Sequence, residues 1–225
     1  MTSRLLRLTP LLLLATLALG LFYATRAPAA APTLPNPTLD AQLAPAPSQQ
    51  VIVLAGGCFW GVQAVYLHTK GVTRAVAGYS GGTADTANYE LVSGHGTGHA
   101  ESVQVTFDPS KITVGQVLKI FFSVVHNPTE KDRQGPDTGP QYRSVVFFST
   151  PEQERVAKAH IAQLGAAHAY PAPIVTEVVP LKAFYPAEDY HQNYLASHMD
   201  QPYIAINDLP KLAALKQQFP SLYRD

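Results

Sequence analysis

Cys58 is the only cysteine in this 225-residue chain, so no disulfide can form within it and its stability must come from its core. Net charge is lacking too: 16 lysines and arginines stand against 16 aspartates and glutamates, with no basic run of the kind that tracks phosphates. That balance weighs against nucleic acid and leaves a small or peptidic ligand as the better partner. Gly94, Gly96 and Gly98 lack the strand-to-helix turn of a dinucleotide fingerprint, so no nucleotide cofactor is implied. His95 and His99 have the spacing of ligands on a helix, but Gly96-Thr97-Gly98 between them disfavours a helix, and no metal site is expected. Apolar residues are plentiful: at 46% of the chain they suffice for one ordinary domain with a real core.

Residues 1–31 read as a separate object. Arg4 and Arg7 precede an apolar stretch from Pro10 to Ala24, and small residues follow at Ala27-Pro28-Ala29-Ala30-Ala31, the pattern of an export signal. The stretch is short for a membrane span and Arg26 closes it, so the segment is read as a cleaved signal peptide or an uncleaved signal anchor. The expected location is therefore exported, periplasmic or extracytoplasmic, with any membrane contact made only through this segment. No cysteine follows the run, which excludes a lipoprotein anchor at that point. Residues 32–50 are rich in Pro, Ala and Gln without apolar periodicity; they read as a disordered linker, with the folded domain at 51–225.

Within that domain, Val51-Ile52-Val53-Leu54-Ala55 reads as a strand, Cys58 to His68 as a helix ended by Gly71, and Val72 to Tyr79 as a second strand. Ser102 to Phe107 alternates with period two, as a half-buried third strand does. Thr113 can cap a helix whose apolar residues, Val114, Val117, Leu118, Phe121, Phe122 and Val125, recur at three- and four-residue steps. Ser144 to Ser149 is an apolar strand, and Thr150-Pro151-Glu152-Gln153 opens a helix to about Leu164. Pro173 to Pro180 suggests an edge strand bounded by prolines, and Leu209 to Phe219 a terminal helix. The order predicts an α+β fold: a two-layer α/β sandwich with a mixed sheet, a ferredoxin-like β-α-β-β-α-β core and added C-terminal elements.

Cys58 stands in Gly57-Cys58-Phe59-Trp60-Gly61, two residues before the only tryptophan and at the start of the first helix. Unpaired N–H groups and a partial positive charge at a helix N-terminus bias a cysteine toward the thiolate, the reactive form. Glu101, at the entrance of the third strand, can be drawn inward and kept protonated. A polar loop carrying Asp137 and Tyr142 leads into the apolar strand, and such loops usually carry function. By residue type alone, Cys58 is as easily a buried small hydrophobe, Tyr89 and Tyr142 surface tyrosines, and Asp137 a turn former. A cysteine hydrolase also stays open, although no histidine falls in a recognisable activating pattern.

Five blocks taken in order say more. Gly57-Cys58-Phe59-Trp60-Gly61, Gly78-Tyr79-Ser80-Gly81-Gly82, Gly96-Thr97-Gly98-His99-Ala100-Glu101, Asp137 with Gln141-Tyr142-Arg143-Ser144, and Phe184 to Gln192 resemble the A-type peptide methionine sulfoxide reductases, over about Val51 to His198. The resemblance implies that Cys58 attacks the sulfoxide sulfur and Glu101 hydrogen-bonds and protonates the oxygen. Tyr89 and Tyr142 would donate to the same oxygen, and Asp137 would hold a water. Phe59 and Trp60 would seat the methyl group and select the S epimer. It implies no metal and no bound cofactor, a monomer, and methionine sulfoxide, free or in exported proteins, as the substrate.

The product on the enzyme would be Cys58 sulfenic acid. Many relatives resolve it with further cysteines near the C-terminus, and here there are none, so the resemblance implies an external thiol, a thioredoxin-like protein or a small thiol. A tethered module that binds oxidised methionine without turnover is the non-enzymatic alternative. Pro140 stands where the family often has threonine, which removes one N–H from the loop presenting Tyr142, and Gln63 stands where an acid is frequent.

Overall fold

The computed structural model describes residues 33–225, so the export signal expected at 1–31 lies outside the described residues. The elements are β1 (Gln50–Ala55), α1 (Phe59–Leu67), β2 (Val72–Ser80), α2 (Tyr89–Ser93), β3 (Ala100–Phe107) and α3 (Val114–Ile120). After them come β4 (Arg133–Gln134), β5 (Asp137–Thr138), β6 (Val145–Phe148), α4 (Pro151–Ala166), β7 (Glu177–Pro180), β8 (Tyr185–Pro186), α5 (Tyr194–Ser197) and α6 (Leu209–Gln218). Six strands form one sheet in the order β7-β6-β1-β3-β2-β8, and β4 pairs with β5 in a small ribbon. The pairing of β6 with β7 is parallel and the others in the large sheet are antiparallel, so the sheet is mixed. Its middle, β6-β1-β3-β2, has the first strand between the third and the last of the β-α-β-β-α-β unit, the ferredoxin-like arrangement that the element order predicts.

Period two decides what each strand shows to each layer. Ile52 and Leu54 of β1 join Val103, Val105 and Phe107 of β3 in the main core, under α1, α3 and α4. Val53 and Ala55 point the other way, to Val145 and Phe147, where Val179, Leu181 and Phe184 cover them. Both faces are thus closed, which is why β1 is apolar at successive positions rather than alternating.

Boundaries shift in two places. The helix expected to run through Val125 is α-helical only to Ile120, where Phe121–Val125 continues as a π-turn; its start is a capping box between Thr113 and Gln116. The expected Pro173–Pro180 strand pairs only from Glu177, opposite Val145.

The expected linker departs further from expectation. Residues 33–49 have no regular structure, yet they lie against the domain: Leu34 is buried, Ala44 N–H donates to Pro109 O, and Thr38 N–H donates to Gln163 Oε1 on α4. Asp40 is the main clip. Its carboxylate accepts from the Thr113 hydroxyl and from Gly115 N–H (2.8 Å), adding a negative charge to the N-terminus of α3. A Cβ on Gly115 would come within 2.4 Å of that carboxylate, so the glycine leaves room for it. The arm's partners are remote side chains and turns, a pattern that leaves no local periodicity to read. Among the described residues no helix is long and apolar enough to cross a membrane.

Candidate active site

The glycine turn between β1 and α1 is sterically enforced. Gly57 has φ +91°, and a Cβ there would meet the Gln134 side chain at 2.8 Å. The turn delivers Cys58 to the N-cap of α1, where its residue exposure is only 8%. Glu101 reaches the same point from the sheet. It lies opposite Tyr79 in β3, on the face that carries Val103 and Val105, so its side chain enters the helix layer instead of solvent. There its Oε2 accepts from Phe59 N–H at 3.0 Å, one of the free donors of the first turn of α1.

The electrostatics correct one expectation. Burial raises the Glu101 carboxyl from 4.5 to about 8, against the lowering effect of Phe59 N–H, and the charges of Asp137 and Asp208 add to the rise. Cys58, expected to be biased toward thiolate, is instead pushed well above its ordinary value. Burial is the largest cause, followed by the negative charges of Glu101 and Asp208; the Trp60 N–H and Lys211 oppose it without prevailing. A helix N-terminus favours an anion, but the loss of water around a sulfur this enclosed outweighs it.

The remaining residues singled out from the sequence converge here. Tyr89, the first residue of α2, donates its N–H to Glu188 Oε1 (2.9 Å), and its ring lies 4.5 Å from that of His191. Tyr142 ends the 3-10 turn Pro140–Tyr142; burial and the charges of Glu101, Asp137 and Cys58 raise its phenol. Pro140 occupies the first position of that turn and Tyr142 N–H bonds Gly139 O at 3.0 Å, so the proline costs the loop nothing. Arg143 ties the loop to its neighbour by donating to Gly98 O and His99 O, while His99 Nδ1 accepts from Gly82 N–H. Asp137 is half-buried and accepts from the Tyr203 hydroxyl. Burial raises its carboxyl, although the Tyr203 hydroxyl and Lys211 pull the other way.

Phe59 and Trp60 divide their tasks. Phe59 is 1% exposed and packs on Tyr79 and His191, forming a floor. Trp60 is partly open; it stacks on Tyr194 with centroids 3.9 Å apart, meets Tyr203 edge-on, and donates its indole N–H to His191 Nδ1 at 3.1 Å. His191 therefore acts as an acceptor, which requires the neutral ring, and burial favours that form.

Tyr203, Asp208 and Lys211, which stand between α5 and the first turn of α6, were not singled out in the sequence. Tyr203 meets Asp137 and Trp60, and Asp208 pairs with Lys211 beside the first helix. The spacing of Asp208 and Lys211 suggests an ion pair on one helix face, but nothing local assigns it to Cys58. Tyr203 and Lys211 help enclose a cavity of ≈ 90 Å³ at Cys58, whose walls also include Gln134, Asp137 and Asn207. Among the described residues no cluster of three or more His, Cys, Asp or Glu side chains is arranged to hold a metal ion.

Comparison with known proteins matches residues 50–222 to the family described as peptide methionine sulfoxide reductase. A relative from Mesorhizobium japonicum, peptide methionine sulfoxide reductase MsrA 2, is 55% identical over 180 residues, covering 80% of this chain and 92% of its own. The Thermus thermophilus MsrA is 45% identical over 176 residues, covering 78% of this chain and 98% of its own. Among solved structures, reduced Mxr1 from Saccharomyces cerevisiae superposes with TM-score 0.61 at 31% identity, over 73% of this chain and 92% of that one. Methionine sulfoxide reductase A of Corynebacterium diphtheriae gives 0.59 at 32% identity, over 75% and 85%.

Proposed function

The chain belongs to the peptide methionine sulfoxide reductase family, and from that premise we propose how its own residues divide the reaction. The protein is an oxidoreductase that returns methionine sulfoxide to methionine. Cys58 as thiolate attacks the sulfoxide sulfur while the Glu101 carboxyl gives its proton to the oxygen, which ends on Cys58 as sulfenic acid. Sulfide, sulfenic acid and a Glu101 carboxylate are the balanced products. Tyr89 and Tyr142 donate hydrogen bonds to the oxygen, Asp137 tunes the site through Tyr203, and the Phe59 floor with the Trp60 wall seats the methyl group of the S epimer.

One observation carries this assignment: a carboxyl whose pKa is raised to about 8 is held within the same enclosed turn as the single thiol. An acid still protonated near neutral pH is of little use to a hydrolase, which needs a base, and is what sulfoxide oxygen requires. The chain holds no second cysteine, so an external thiol must reduce the sulfenic acid, and we assign that role to a thioredoxin-like protein acting on a monomer. The signal-like residues 1–31 support an exported enzyme that repairs exported proteins.

Cys58→Ser gives the test. The unsubstituted protein, mixed with methionine sulfoxide and no reductant, should yield about one methionine per chain and a Cys58 heavier by one oxygen in the mass spectrum. The serine variant should yield none. Turnover by that variant with dithiothreitol would refute the assignment.

A further inference from the structure

The last glycine of Gly57-Cys58-Phe59-Trp60-Gly61 is not explained by the sulfoxide chemistry, and the structure gives it a reason. A Cβ on Gly61 would come within 2.1 Å of Asp208 Oδ1, 2.8 Å of its carboxyl carbon and 2.8 Å of Lys211 Nζ. The bare backbone of α1 is thus the seat of the Asp208–Lys211 pair, whose bond is 3.0 Å. Asp208 is fully buried, and its second oxygen, Oδ2, has no hydrogen-bond partner among the described residues. A carboxylate in that condition is costly to keep, and the cation beside it is the group that makes it tolerable.

Lys211 is the part of the pair that faces the chemistry. It lines the ≈ 90 Å³ cavity that Cys58 also lines, together with Asn207, Asp137 and Tyr203, whereas Asp208 stands behind it against Gly61. Only one of its three N–H donors has an acceptor among the described residues, Asp208 Oδ1. Asp137, the other charged group of the cavity, has Oδ2 engaged by Tyr203. The arrangement therefore offers an ammonium with donors to spare, fixed by a buried carboxylate, in a cavity that Cys58 lines and Glu101 does not.

We propose that Lys211, held in place by Asp208, is the general acid of the second half-reaction, the reduction of Cys58 sulfenic acid by an external thiol. The attacking thiolate sulfur bonds to Cys58 Sγ and the S–O bond breaks. The departing hydroxyl takes a proton from the Lys211 ammonium and leaves as water, and the amine regains its proton from solvent. Cys58 sulfur is reduced and the incoming sulfur oxidised, giving a mixed disulfide that a second thiol clears. Glu101 is left as a carboxylate by the first half-reaction and does not line this cavity, whereas the Lys211 ammonium stands there from the start. Lys211 is the catalytic group of this step and Asp208 a positioning residue.

The inference rests on Cys58 sulfenic acid being formed, so the test separates the two halves. In Asp208→Asn/Lys211→Gln both members become amides of similar size and the net charge of the pair is unchanged, which spares the ionisation of Cys58. Sulfenic acid loss on adding dithiothreitol, followed by dimedone trapping, should slow on the order of a hundredfold, far more than methionine formation in a single turnover without reductant. Lys211→Met, which keeps the apolar stem, should show the same loss, and Lys211→Arg a smaller one. If sulfenic acid reduction is unchanged in Lys211→Met, or if both half-reactions fall together in the double variant, the role of Lys211 is overturned. If the unsubstituted protein forms no methionine, the reading of Cys58 fails instead.

Discussion

Glu101→Gln is the sharpest test of the site, because the structure assigns it effects on rate, on pH dependence and on stability. With its pKa at about 8 rather than 4.5, Glu101 is about nine-tenths protonated at neutral pH, where an ordinary carboxyl is well under a hundredth so. Cys58 ionises later, being pushed well above its ordinary value. The reactive form, thiolate with carboxyl, contains the same number of protons as the dominant form with thiol and carboxylate, so the two are tautomers of one macroscopic state. Their joint population grows as the first proton leaves near pH 8 and declines once the second follows. Single-turnover methionine formation should rise about tenfold per pH unit up to about 8, level off, and fall only when Cys58 itself titrates.

Glutamine keeps the size and accepts from Phe59 N–H but has no proton to give, so the plateau should drop by about a hundredfold or more. It also removes a negative charge next to the sulfur, so Cys58 should ionise at lower pH than in the parent and the descending limb should vanish. Because Cys58 is the only thiol, its alkylation rate against pH reads this directly. Stability follows with a definite sign. Between 4.5 and about 8 the folded form holds a proton that the unfolded form has lost, so stability falls as pH rises through that window, by on the order of 5 kcal/mol at about 1.4 per pH unit. Glu101→Gln should escape that fall, which urea unfolding at acidic and alkaline pH measures. A variant within threefold of the parent rate, with an unshifted Cys58 titration, would refute the proton-donor role.

Two further outcomes test parts of the fold that serve the site. Gly61→Ala should destabilise by about 1–3 kcal/mol in urea unfolding despite alanine's better helix propensity, since its Cβ collides with Asp208, and Asp208→Ala in the same chain should restore much of the loss. Asp40→Ala removes the acceptor for Thr113 and Gly115 and should cost about 1–2 kcal/mol by thermal unfolding; no change would mean that the arm is held elsewhere.

Local rules located most of the framework. The alternation of Ser102 to Phe107, the Thr113 cap and the Thr150-Pro151 helix start each depend on neighbours a few residues apart, and each forms where its pattern lies. The strand order also followed, because short connections leave few ways to close a β-α-β-β-α-β unit. What escaped depends on distant partners. Asp40 meets α3 only after the chain has folded, and Asp208 and Lys211 meet Gly61 across nearly the whole domain. The state of Cys58 is not legible locally for a related reason: its N-cap position is local, whereas the burial and the two carboxylates that outweigh it come from the sheet and from the C-terminal segment.

Trp60 stands two residues after Cys58 and is the only tryptophan of the chain. Its indole bonds the neutral ring of His191, stacks on Tyr194 and meets Tyr203, which is itself hydrogen-bonded to Asp137. All tryptophan emission from the molecule therefore originates beside the reacting sulfur, from a ring whose neighbours include a group that quenches when protonated. Ligand arrival, oxygen transfer to Sγ and its removal by thiol each alter that environment. The enzyme carries its own optical probe, and stopped-flow fluorescence can follow both halves of its cycle without a label.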